Sequence, residues 1–137
     1  MFCLSPLDVT TDTIWEDIRE HFERFARKTG EITPEQVRQG AADSRFQVWG
    51  LQDAERVHAV AVTEISETAA GRLCTVRIAC GGAPVPIQER LLDEIGRWAM
   101  QMQCHAMRIV GRRGWLRRFP RFKQTAVVME WNLCQTH

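Results

Sequence analysis

A chain of 137 residues, 45% apolar and 26% charged, has the size and make-up of one globular domain, residues 1–137, with a core of its own. No apolar run is long enough to span a membrane, and MFCLSPLDVT lacks a basic stretch leading into a long apolar core, so a soluble cytoplasmic protein without a secretory signal is expected. The net charge of +1 hides an asymmetry: residues 1–70 carry 13 acids and 7 bases, residues 71–137 carry 4 and 11, and no acid lies between Glu94 and Glu130.

Residues 2–9 read as a short first strand, held to an edge or an end by Pro6. Thr13 and Glu16 have capping-box spacing. The helix they open runs to about Lys28, with Ile14, Ile18, Phe22 and Phe25 as its apolar stripe and Gly30 as its stop. Thr33, Pro34 and Gln36 form a second start signal, for a short helix ending near Ala42. Its few apolar residues, Val37 and Ala41, predict a surface position. Residues 45–51 alternate, with Phe46, Val48 and Gly50 on one face and Trp49 and Leu51 on the other. Residues 56–66 alternate too, placing Val57, Ala59, Ala61, Thr63 and Ile65 opposite His58, Val60, Val62 and Glu64. Short turns join these runs to a third at 72–80, which makes an antiparallel meander.

Next come the loop GGAPVP (81–86), a helix at 87–103 and a strand at 106–110. Ile87, Leu91, Ile95, Trp98 and Met102 give the helix its stripe. A helix linking two strands is a βαβ crossover, so 72–80 and 106–110 should be parallel neighbours. Ligands favour the carboxyl ends of such strands, here Gly81, Gly82 and Gly111–Arg113. Residues 114–123 read as a helical turn or loop, and TAVVMEWNL (125–133) as a last strand. Trp49, Trp98, Trp115 and Trp131 are expected in or around the core, and Trp15 on a helix flank facing the second helix.

Two features bear on chemistry. GRRGWLRRFPRFK (111–123) interleaves Arg112, Arg113, Arg117, Arg118, Arg121 and Lys123 with Trp115, Phe119 and Phe122. Such a segment can hold phosphates and stack bases, or anchor a protein partner through Arg113, Trp115, Arg117, Arg118, Arg121 and Lys123. The plainer reading packs the aromatics under the sheet and leaves the arginines solvated or paired with the acidic half. The five cysteines form no CxxC pair, Cys104-His105 has no second ligand pair, and no metal site is expected. Cys74 and Cys80 share strand parity and read as buried thiols.

The order strand, helix, helix, three strands, crossover helix, strand, short helix, strand resembles the GNAT acetyltransferase superfamily. The Gly114–Trp115 pair after the fifth strand adds to the likeness. The fold implied is α/β, a mixed, mainly antiparallel central sheet with a βαβ crossover and flanking helices. The run from Trp98 through Gly111–Trp115 to Phe119-Pro120 also looks similar to small proteins of tailed phages and prophages. The GNAT likeness implies acetyl-CoA as cofactor, its pyrophosphate near Gly81, Gly82, Gly111 and Arg112. The loop departs from the family's Q/R-x-x-G-x-G/A spacing, and Pro84 and Pro86 have no amide hydrogen to offer. The chain has no tyrosine, the general acid of many such enzymes. Glu64 or His58, through water, are the available bases, and Cys80 or Cys104 the available acids.

Three functions follow. The leading one is a non-catalytic GNAT-like protein of phage origin, acting by self-association or with phage structural proteins, cytoplasmic or virion-associated. It predicts a filled cleft. The second is an acetyl-CoA-dependent N-acetyltransferase, which predicts a splayed cleft between 72–80 and 106–110. The third, less favoured, is a nucleic-acid-binding module using 111–123.

Overall fold

The computed structural model describes residues 2–82, 84–110 and 115–134, with backbone alone at Arg118. In chain order the elements are β1 (Cys3–Pro6), α1 (Asp12–Thr29), α2 (Pro34–Ala42), β2 (Gln47–Gln52), β3 (Val57–Thr68), β4 (Gly71–Gly81), α3 (Val85–Gln101), β5 (Cys104–Ile109) and α4 (Trp115–Arg118). β1 to β4 pair antiparallel in sequence order, and β5 lies parallel to β4. The meander and the βαβ crossover are both present, and α3 is the connection that a parallel pair requires.

Both faces of the sheet are covered. Val48, Val60, Val62 and Ile78 pack against Trp15, Ile18 and Phe22 of α1 and Val37 of α2. Trp49, Leu51, Ala59, Ala61 and Cys74 pack against Leu91, Leu92, Ile95 and Ala99 of α3, with Phe119 closing that layer. Each fully buried large apolar side chain contributes about 1.5–3 kcal/mol. α2 is therefore no surface appendage: its single Val37 is completely buried, which anchors a helix otherwise poor in apolar residues.

The helix ends divide the two start signals. At Thr33 the full capping box forms: the Thr33 hydroxyl accepts from Gln36 N–H at 3.1 Å, and Gln36 Oε1 accepts from Thr33 N–H at 2.9 Å. At Thr13 it does not. α1 starts at Asp12 with Thr11 as N-cap, and the Asp8 carboxylate takes the Thr10 amide and the Thr10 and Thr11 hydroxyls. The stripe that α1 buries is Trp15, Ile18 and Phe22, with Ile14 half-buried beside it. Trp15, expected on a flank, instead lies in the buried stripe, stacked on Phe22 and under the Arg38 guanidinium of α2. Gly30 stops the helix in the left-handed conformation (φ 67°) and donates to Ala26 O.

Two bulges break the alternation. Leu51 faces Ala59 but Gln52 faces Val57, so His58 is the extra residue in β3 and Val57 joins Val60 and Val62 on the α1 side. Val62 faces Ile78 but Thr63 faces Val76, so Arg77 is extra in β4. Beyond Arg77 the faces exchange. Cys74 thus lies in the α3 core and Cys80 packs with the α1 core, despite their shared parity.

The crossover helix begins at Val85 rather than residue 87, because Pro84 serves as its N-cap and Pro86 sits in the first turn, where a missing amide is harmless. Residues 125–133 form no strand in this structure. They are exposed, with Val127, Val128, Met129, Trp131 and Leu133 each more than two-thirds accessible, so Trp131 lies outside the core.

Candidate functional site

The carboxyl end of β4 is where the chain brings unusual backbone and titratable groups together. β5 pairs with β4 only as far as Val76 opposite Ile109, while β4 runs on to Gly81. Ile78–Gly81 remain paired with β3 on one edge and have no strand partner on the other among the described residues. The crossover ladder therefore stops short of the carboxyl end of β4, the end that leads toward α3. A strand edge with free amides and carbonyls is a ready partner for an extended amide-bearing ligand.

Gly81 is required for this geometry. Its φ is +130°, and a Cβ there would stand 2.5 Å from both Ala59 Cα and His58 O. Gly82 donates its amide to His58 O at 3.3 Å, while a Cβ on Gly82 would meet nothing within 4 Å. At the head of α3 the donors are few. Pro84 and Pro86 have none, and the Ile87 and Gln88 amides both bond Pro84 O at 3.0 Å.

The bulge at the start of β3 brings His58 to this end of the sheet. Asp53 Oδ1 accepts the Glu55 and Arg56 amides at 2.8 and 3.1 Å, and Oδ2 lies 2.5 Å from His58 Nε2. The two backbone amides, and then the imidazole, hold the Asp53 pKa down at about 2. A carboxylate so held only accepts, so Nε2 carries the proton and Nδ1 is the open acceptor. Phe2 fixes the ring from another side, edge-on at 5.1 Å. The arrangement is a histidine oriented by a carboxylate, which suits it to take a proton. Sequence reasoning named His58 but missed Asp53 and Phe2. A D-x-x-x-x-H spacing across the hairpin turn was the available signal.

Glu64 is placed elsewhere. It lies opposite Thr75, with Arg77 Nη1 at 2.7 Å and Arg45 Nε at 3.3 Å from its two oxygens, on the α1 side of the sheet. The two candidate bases therefore do not meet. The candidate thiols are dispersed as well. Burial pushes Cys80 to about 11, and its thiol donates to His21 O toward α1. Cys104 begins β5, at the end away from Gly81, and burial raises it also. Among the described residues no group of three or more His, Cys, Asp or Glu is placed to hold a metal.

In the basic segment, Gly111, Arg112, Arg113 and Gly114 lie outside the described residues, as does the side chain of Arg118. Phe119 is buried, and Trp115 and Phe122 pack against the α3 core. Arg121 pairs with Asp93 of α3. Arg117 and Lys123 are exposed. The aromatics thus face inward, as the plainer sequence reading had it.

No family model matches this sequence. No curated protein matches it either. Solved structures do. A predicted acetyltransferase from Clostridium acetobutylicum, determined with acetyl-CoA, is 16% identical with a TM-score of 0.71, covering 100% of this chain and 99% of that one. An aminoglycoside acetyltransferase from an uncultured soil metagenomic sample, in complex with sisomicin, has a TM-score of 0.74 at 10% identity over 96% of each chain. Glucosamine-6-phosphate N-acetyltransferase from Arabidopsis thaliana has a TM-score of 0.71 at 9% identity, over 97% of this chain and 99% of that one. Nothing in these likenesses supports the tailed-phage resemblance. At such identities the shared property is the fold, and the chain has the fold of the GNAT acetyltransferases.

Proposed function

We propose that this chain is an acetyl-CoA-dependent N-acetyltransferase, in place of the non-catalytic phage protein that the loop and the missing tyrosine favoured. The observation that supports the reading is the stretch of β4 beyond Val76 that has no β5 partner among the described residues, in a fold that aligns with acetyltransferases end to end.

The residues present fit the cofactor unevenly. The edge of Ile78–Gly81 left without a β5 partner suits the amides of a pantetheine arm. The open space beside Gly82 and the positive end of the α3 dipole suit a diphosphate, with fewer amide donors than a helix start usually offers. Acetyl-CoA, when bound, supplies an activated acetyl group. The chain's part is to hold the arm extended along β4 and to take the proton of the incoming amine. His58 is assigned the second role, directly or through water, with Nδ1 as acceptor and Asp53 as the group that positions the ring.

Thiol release from acetyl-CoA over a panel of amines tests this assignment. In the wild-type chain some amine should accelerate release. His58→Gln should lower kcat on that amine by about 10²–10⁴-fold with KM for acetyl-CoA little changed. Asp53→Asn should give a smaller loss in kcat. Equal activity in His58→Gln and wild type would remove His58 from the mechanism.

A further inference from the structure

The α1 side of the sheet carries a cluster of guanidinium groups that acetyl transfer, as assigned above, does not use. Its geometry starts at Gly40. A Cβ there would run into the Phe46 ring, so glycine is what admits Phe46 to the core. Gly40 O accepts the Arg45 and Phe46 amides at 2.8 and 3.0 Å, which fixes the turn into β2. The guanidinium carbons of Arg45 and Arg77 then lie 4.5 and 5.8 Å from the centre of the Phe46 ring. Glu64 takes Arg45 Nε at 3.3 Å on one oxygen and Arg77 Nη1 at 2.7 Å on the other. One ring and one carboxylate thus hold both cations. The Glu64 side chain is 22% exposed and those of Arg45 and Arg77 62% and 44%, so the cations are the accessible partners. β5 adds a third guanidinium. Thr75 is opposite Glu64 in one ladder and opposite Arg108 in the other. Met107 packs against the α3 core, so Arg108, next along the strand, points to the Glu64 face. Two strand steps span about 10 Å, within reach of a long arginine side chain. Arg108 is exposed, and among the described residues no acid pairs with it.

We propose that Arg45, Arg77 and Arg108, with the Thr75 hydroxyl among them, bind the phosphate of a small phosphate monoester. Three guanidiniums over one carboxylate (3 − 1) leave two positive charges in excess. That complements a phosphate monoester, which carries about −1.5 to −2 at neutral pH. Guanidinium forks match phosphate oxygens two N–H groups at a time, and a planar cation leaves donors over when it is already paired on one side. Phe46 and Glu64 hold two of the three in place beforehand, which lowers the ordering cost of binding. Ion pairs at such exposure stabilise a fold little, so neutralising Glu64 does not account for three arginines. The site is separate from the one assigned to the coenzyme's diphosphate. Arg77 lies four residues before Gly81 in β4, about 13 Å along the strand. The proposal is therefore independent of whether acetyl-CoA binds.

NMR titration of the isotope-labelled full chain, at fixed ionic strength and without coenzyme, tests it. The probes are glycerol 1-phosphate, inorganic phosphate, acetate and glycerol. Glycerol 1-phosphate should shift the guanidinium N–H signals of Arg45, Arg77 and Arg108 saturably. Acetate should bind about tenfold more weakly or worse, and glycerol should shift nothing. Arg108→Gln and Arg45→Gln should each weaken glycerol 1-phosphate by about tenfold. Arg108 has no acidic partner to lose, and Arg45→Gln leaves the Arg77–Glu64 pair in place, so neither effect is one of folding. The backbone amide spectrum verifies this. Arg97→Gln removes the same charge from an exposed position on α3, across the sheet, and should change nothing. Glycerol 1-phosphate binding no tighter than acetate, or equally well to the Arg108 and Arg45 variants, would overturn the proposal. Inorganic phosphate binding tighter than the monoester would overturn it as well, by making free phosphate the ligand.

Discussion

At the scale of single residues, Gly81 and Gly82 stand side by side and do different work. Gly81 is fixed by sterics: its φ is +130° and the β3 backbone lies where a Cβ would go. Gly81→Ala should destabilise the fold by about 3 kcal/mol, combining backbone strain and overpacking. Gly82→Ala should stay within about 0.5 kcal/mol, because its neighbourhood is open. Urea unfolding of the two variants checks the contrast, and equal losses would contradict it. Reading GGAPVP as a sequence points to both glycines as phosphate contacts and cannot separate them, since the separation depends on how closely β3 approaches. His58 was legible as a candidate from its residue type. Its partner Asp53 was not, because a bulge decides which way His58 faces, and a bulge leaves no mark in an alternating pattern.

At the scale of elements, the two threonine start signals look alike in sequence and differ in the structure. Thr33 closes a reciprocal box, so Thr33→Ala should cost about 1 kcal/mol. Thr13 is exposed inside the first turn of α1, so Thr13→Ala should change stability by less than about 0.5 kcal/mol. Thermal or urea midpoints of the two variants decide it. What displaced the first signal is Asp8, whose carboxylate gathers the Thr10 and Thr11 groups and starts the helix earlier. The crossover was readable because α3 carries a helical stripe between two β-rich runs. The last strand was readable only as a propensity. Residues 125–133 have the pattern of a strand, but a strand exists only where an edge receives it, and which edge that is lies beyond local sequence.

At the scale of the whole molecule, the order of elements was enough to reach the fold, since a meander followed by a βαβ unit leaves few topologies. Function was less legible for a physical reason. The loop that would cradle a diphosphate is poor in amide donors, and the chain lacks tyrosine, so local motifs point away from catalysis. The feature pointing toward it is the end of the β4–β5 ladder at Val76 and Ile109, which belongs to the pairing and not to any one residue. The central claim is that the β4 edge beyond Val76 holds acetyl-CoA. Calorimetric titration of the purified chain with acetyl-CoA tests it most directly, with Gly82→Pro, which removes the Gly82 amide bonded to His58 O, as the paired variant. The account predicts saturable binding in the micromolar range, about −8 kcal/mol, that Gly82→Pro loses while remaining folded. Absence of any heat at millimolar acetyl-CoA would contradict it.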